Sequence, residues 1–314
     1  MITEKTGGYI SRLEFNTGES LDVKKNDIVV FVGPNNAGKS QSLKDIYTLS
    51  SRKLSTIVVS DIEITKSEES LLPLLQSISN GSDQGSYTNY SVLGHGISYW
   101  KESSDNSFLK DSYYGDFRDL FVANLDTAAR LGICNPPNNI NRNASKQHPI
   151  HYAAFDGKYR KWLSDNFKKA FGIEVTPNTQ YGATIPLCIG APVKLNEQYE
   201  DEQQRLEAYA TILDTYKQVQ NQGDGIKSFT GILLYLMLDY YRTYLPESFL
   251  HPPQARIMGQ IIGQTLTNDQ QAFISTHSEE IIKGLLEACP QRIKIVRITR
   301  KEDTNAFSIL SNEK

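Results

Sequence analysis

The sequence predicts an α/β protein with a mixed central sheet flanked by helices, and three observations carry that reading. Residues 28–32, IVVFV, form an unbroken apolar run of strand length, as expected of a strand covered on both faces. A glycine-rich turn and a helical stretch over 41–50 follow it directly. A second buried run, QAFIST at 271–276, precedes IKIVRIT and AFSIL, which read as a hairpin closing the sheet.

The other elements follow in order. YISRLEF at 9–15 alternates with the strand period, and past the turn NTGE the short strand SLDV leads through polar KKND into the first buried run. STIVVSDIEI at 55–64 is a further strand. From 66 to 147 the periodic signal fades into NGSDQGSYTNYS, KESSDNS and the turn cluster CNPPNNINRN, the composition of an insertion. The expected organisation is an N-terminal lobe over 1–65, an insertion of helices and loops over 66–147 and a second lobe over 148–314. In that lobe KYRKWLSDNFKKAF at 158–171 is a helix with Trp162, Phe167 and Phe171 toward a core. After the acidic stretch NEQYEDEQQ, Leu206, Tyr209, Leu213, Tyr216 and Val219 recur at helical spacing, so a helix is expected as far as the glycines of NQGDG. IKSFTGILLYLMLDYY restarts it.

Composition narrows the function classes. The 314 residues carry 33 Lys and Arg against 36 Asp and Glu, a formal charge of −3 that supplies no global basic field for nucleic acid. Any DNA contact needs a local patch or a partner. Cys134, Cys188 and Cys289 are far apart and form no CxxC pair, which argues against a zinc site or a disulfide framework and for a reducing cytoplasm. The opening MITEKTGGYI lacks the regions of a secretory signal, and no apolar run reaches the roughly 18 residues of a membrane span.

The sharpest motif is Gly33-Pro-Asn-Asn-Ala-Gly-Lys-Ser40, which fits GxxxxGKS between a buried strand and a helix. In that setting the backbone of Gly33, Asn35, Asn36, Ala37 and Gly38 wraps phosphates at a helix N-terminus, with Gln41 just inside the helix. Lys39 puts its charge on the β and γ phosphates of ATP, and Ser40 offers a hydroxyl to Mg²⁺.

Three later segments narrow the class. QGDGIKSFTGILL at 222–234, with Gly225, Lys227 and Ser228, resembles the signature motif of ABC-type ATPases in its SMC-like variant. FLHPPQAR at 249–256 resembles the stretch after Walker B in the OLD-like branch, and FISTHSEEI at 273–281 the switch-histidine strand, with His277. Within that branch the chain is similar to the PtuA-type ATPases of Septu and retron-associated antiphage systems, a likeness that HPIHYAAFDGKYRKWLSDNFKKAFG at 148–172 shares. The resemblance implies a P-loop NTPase of ABC/SMC head type. It also implies that Ser228 closes over the γ-phosphate held by a second subunit, and that His277 acts in catalysis. From the residues alone, Ser228 also reads as a helix N-cap and His277 as a core histidine.

The resemblance breaks at RTYLPESFLHPPQ. Family members read four apolar residues and then Asp-Glu-Pro-Glu; here Pro246 and Glu247 match, while Tyr244 and Leu245 stand where the acids belong. Neither can hold a Mg²⁺ shell or orient water. Asp239 is expected inside the helix that Ser228 begins, away from Lys39, and Glu247, matched to the second family glutamate, is the remaining candidate for a catalytic acid. The run from Tyr240 to Leu245 is too short for a turn, a strand and the acids, so a loss of about three residues after Leu245, such as Ile-Asp-Glu, is expected.

The leading expectation is thus an ATPase subunit, at least a dimer with composite ATP sites, whose nucleotide state licenses an HNH-type nuclease. By resemblance, a reverse transcriptase with its RNA–DNA hybrid is a further partner, and family members continue with a helical region beyond residue 314. The alternative is a nucleotide-gated scaffold or DNA clamp that binds ATP without turnover.

Overall fold

The computed structural model describes residues 6–93, 95–193, 195, 201–248, 250–301 and 304–310, in two compact units: 1–126 with 239–314, and 127–238. The first unit opens with β1 (Gly8–Phe15), β2 (Ser20–Asp22), β3 (Ile28–Val32), α1 (Lys39–Ser51) and β4 (Val59–Lys66). It continues with α2 (Leu72–Ile78), β5 (Ser82–Asp83), β6 (Tyr87–Val92), β7 (His95–Trp100), α3 (Ser104–Lys110), α4 (Arg118–Phe121) and β8 (Val122–Leu125). The second unit holds α5 (Thr127–Gly132), α6 (Pro149–Phe155), α7 (Gly157–Phe171), β9 (Val175–Pro177), β10 (Leu187–Ile189), α8 (Glu202–Asp214), β11 (Lys217–Gln218) and α9 (Asp224–Leu236). The chain returns to the first unit with β12 (Thr243–Ser248), α10 (Pro252–Thr265), β13 (Gln271–Thr276), α11 (Glu279–Ala288), β14 (Ile293–Lys301) and β15 (Thr304–Leu310).

The core of the first unit is a six-stranded sheet in the order β15-β14-β3-β13-β12-β8, parallel except for β15. Its central strands are buried on both faces, which is why they read as continuous apolar runs. Ile28, Val29, Val30 and Phe31 are fully covered, and Phe31 stacks on Phe273 of β13 at 6.5 Å. A second sheet, β2-β1-β4, is tied to the first by the buried amide of Gln271, which accepts from Ile10 N–H (2.8 Å) and donates to its carbonyl (3.1 Å). Burying this polar side chain is tolerable because both ends of the amide are bonded.

Several expectations need correction. The helix expected to reach the NQGDG glycines stops at Asp214, because the backbone of Lys217 and Gln218 bonds to β10 instead of continuing the helical ladder. Leu213 is its buried residue, while Leu206 is 42% exposed and Val219 is covered from a 3-10 turn. On α7 the core face centres on Leu163 and Phe167; Trp162 and Phe171 are half-buried, though Phe171 meets Phe229 edge-on at 5.1 Å. Asp239 lies in the turn after α9, not within the helix. The compact units also cut the chain elsewhere than the expected lobes do. Residues 66–126 belong to the first unit and supply β8 to the central sheet, whereas 127–147 belong to the second.

Candidate nucleotide-binding site

The loop after β3 has the backbone that its sequence requires. Gly33 sits at φ 146°, and a Cβ there would lie 2.1 Å from the Ile298 carbonyl oxygen of β14, so only glycine fits. Asn36 (φ 60°) and Gly38 (φ 109°) are left-handed and turn the chain into α1. Pro34, Asn35 and Asn36 are exposed at the apex, while Ala37 is buried beneath it. The helix is anchored further on. Gln41 donates to Asp45 (2.8 Å), whose other carboxylate oxygen accepts from the backbone N–H groups of Ile57, Val58 and Val59.

Lys39, buried on α1, folds its ammonium over the loop and donates to the carbonyls of Gly33 (2.9 Å) and Pro34 (2.7 Å). Burial pushes its pKa below the ordinary lysine value. The next residue, Ser40, has its Oγ 3.5 Å from the Oγ of Ser275 on β13. Ser275 is a site residue that the sequence reading missed; its signal was its place two residues before His277.

The parallel strands bring their carboxyl ends to one edge, where ligands of open α/β sheets bind. β13 pairs with β3 up to Ser275 opposite Phe31, and His277 follows β13 as an exposed residue before α11. On the other side β12 pairs Glu247 with Ser275 and Ser248 with Thr276. Tyr244 and Leu245 are mid-strand core residues, 1% and 0% exposed, and Gln270 donates to the Tyr244 hydroxyl at 3.1 Å. The strand reaches its six residues by running through Pro246 to Ser248, so the expected shortage of room does not arise. Pro246, which has no N–H to give the ladder, keeps its register with Leu125 of β8 within the strand. The backbone of Glu247 therefore shares a rung with the serine that faces Ser40; its side chain, like residue 249, lies outside the described residues. A second acid stands on the same edge. Asp126 follows β8 directly and accepts from the Asn124 amide at 3.5 Å. Its signal, the apolar run FVANL ending in Asp, was hidden in a stretch that reads as loop-rich.

Residues 222–234 lie in the second unit. Gly223 caps α9, Gly225 is in its first turn and Lys227 pairs with Asp224 (3.0 Å). Ser228 is inside the helix rather than its N-cap. It is buried, with no hydrogen-bond partner for its Oγ among the described residues. Its helix rests directly on α5, where a Cβ at Gly231 would come within 2.2 Å of the Arg130 carbonyl oxygen. The structure thus gathers Lys39, Ser40, Ser275, the Glu247 rung and His277 in one unit, and Ser228 in the other.

No protein-family profile and no curated protein matches the chain. Among solved structures, the SMC head bound to the C-terminal winged-helix domain of ScpA aligns over 97% of this chain and 98% of its own, at 13% identity and a TM-score of 0.57. The Smc head with an extended coiled coil bound to the C-terminal domain of ScpA, derived from Pyrococcus furiosus, aligns over 98% and 97%, at 11% identity and a TM-score of 0.51. The fold is that of an SMC head domain. Among the described residues of this SMC-head fold, no helix is long and apolar enough to cross a membrane.

Proposed function

We propose that the chain is an ATP-binding subunit of SMC/ABC type. The observation that carries this reading is the loop from Gly33 to Ser40, set between β3 and α1 with Lys39 folded over it. The Lys39 donors now on two loop carbonyls are the ones that would turn to the β and γ phosphates, and the left-handed residues pre-form the backbone cradle. Ser40 with Ser275 offers neutral oxygen donors that suit Mg²⁺, an ion that takes few protein ligands and completes its shell with phosphate oxygens and water. ATP titration by calorimetry tests the reading: Lys39→Ala should lose binding, and unchanged affinity would overturn it.

Hydrolysis is proposed to be slow. Glu247, on the rung of Ser275, and Asp126 are the acids at this edge, in place of the adjacent pair that orients water and holds the metal shell in the family resembled. His277, at the end of β13, is assigned to the γ-phosphate side. Ser228 is proposed to meet ATP held by a second copy, making the active form at least a dimer.

The wider role rests on the segments at 148–172, 222–234 and 249–256. We infer a cytoplasmic antiphage complex in which nucleotide state controls an HNH-type nuclease, with a reverse transcriptase and its RNA–DNA hybrid in a retron setting. A head of this fold is known with a protein partner, ScpA, which supports a partner-docking role. Co-expression with a candidate HNH-type nuclease, followed by co-purification with and without ATP, tests it; association indifferent to nucleotide would count against it. The second reading, a scaffold or DNA clamp that holds ATP without turnover, is favoured by Tyr244 and Leu245 at mid-strand.

A further inference from the structure

Away from the P-loop, the first unit has a cavity of about 470 Å³ between β7, α3 and the turn into α4. That volume is within the roughly 300–1,000 Å³ of small-molecule sites. Trp100 forms part of its wall. This residue is 47% exposed and is braced by Tyr87, with ring centroids 4.7 Å apart. An indole held by a neighbour yet open to the cavity is a stacking platform for a flat ring.

The polar lining selects further. Ser103 and Ser107, one helical turn apart at the start of α3, both line the cavity, and neither hydroxyl has a partner among the described residues. Asp116, also in the wall, has no hydrogen bond or ion pair there either. The lining cation, Arg118, is already committed: it grips Asp119 through two bonds (3.0 and 3.1 Å) and stacks on Tyr47 at 4.0 Å. A free carboxylate accepts the vicinal hydroxyls of a ribose, as the acid of dinucleotide folds does. With the arginine neutralised and Asp116 open, a phosphate would meet net negative charge.

We propose that this cavity is a binding site for a neutral nucleoside, its base on Trp100, its ribose hydroxyls on Asp116 and its remaining polar edge on Ser103 and Ser107. The site is separate from the P-loop and does not depend on the ATP-binding reading.

The test uses the full chain. With Trp162→Phe, Trp100 is the sole tryptophan, and its fluorescence is followed against adenosine and guanosine, with calorimetry on the unsubstituted chain as the second measurement. Saturable binding of at least one nucleoside is expected, weakened about tenfold or more by Asp116→Asn, the loss of a hydrogen bond to a charged group. AMP should bind more weakly than adenosine, and Lys39→Ala should leave nucleoside binding intact. No saturable binding at millimolar nucleoside would overturn the proposal, as would equal affinity in Asp116→Asn or binding that vanishes with Lys39. A methyl pyranoside that binds where nucleosides do not would overturn it too.

Discussion

Replacing Gly33 with alanine should damage both fold and site, by an amount the structure sets. The new methyl carbon would lie 2.1 Å from the Ile298 carbonyl oxygen, a backbone atom of β14 that cannot rotate away. Forcing extra volume into such a contact costs about 1–3 kcal/mol. A φ of 146° adds strain of about 1–3 kcal/mol for a residue with a side chain. Gly33→Ala should therefore lose about 2–6 kcal/mol in urea denaturation and, by shifting the loop, weaken ATP binding. Gly18→Ala is the control: Gly18 has φ 83° with nothing within 4 Å of its Cβ position, so backbone strain alone remains. A Gly33→Ala variant within about 0.5 kcal/mol of the parent, or no worse than Gly18→Ala, would refute a steric role for this glycine.

Two further outcomes follow from other parts of the molecule. The Lys66 ammonium donates to the carbonyls of Phe108, Asp111 and Tyr113, and burial brings its pKa down to about 8 from 10.5. Between those values the unfolded chain binds more protons than the folded one, so raising pH favours folding. Relative to Lys66→Met, the parent should gain stability from about pH 8 to pH 10 and hold a constant difference below that window; paired urea titrations showing a pH-independent difference would refute this. Ser228→Arg should block ATP-dependent dimer formation while leaving nucleotide affinity unchanged, and light scattering that finds the same oligomer in both proteins would contradict the composite site.

Much of the first unit was legible because its central strands are continuous apolar runs and its phosphate loop carries glycine where the backbone demands it. IVVFV, QAFIST and the IKIVRIT–AFSIL hairpin each became a strand of the central sheet. What could not be read depended on pairing. The side-chain period around Leu206–Val219 is helical, yet Lys217 and Gln218 pair with β10, a preference set by distant residues. β8 was missed because four residues inside a loop-rich stretch, three of them buried, become a strand only beside β12. Glu247 was a candidate acid from the sequence, but its place within the strand was not legible: proline signals a strand end, and here the strand continues through Pro246 to Ser248.

Whether the missing acid pair limits turnover is decided by single-turnover ATP hydrolysis at saturating nucleotide, for the chain and for a form with Ile-Asp-Glu inserted after Leu245. Both forms should bind ATP through Lys39, and the chain itself should hydrolyse it slowly. The inserted acid pair should raise the rate by orders of magnitude, because phosphoryl transfer depends on positioning and charge stabilisation. Equal rates in the two forms would contradict it and assign the full catalytic role to an acid already at the strand ends, with Glu247→Gln then abolishing turnover.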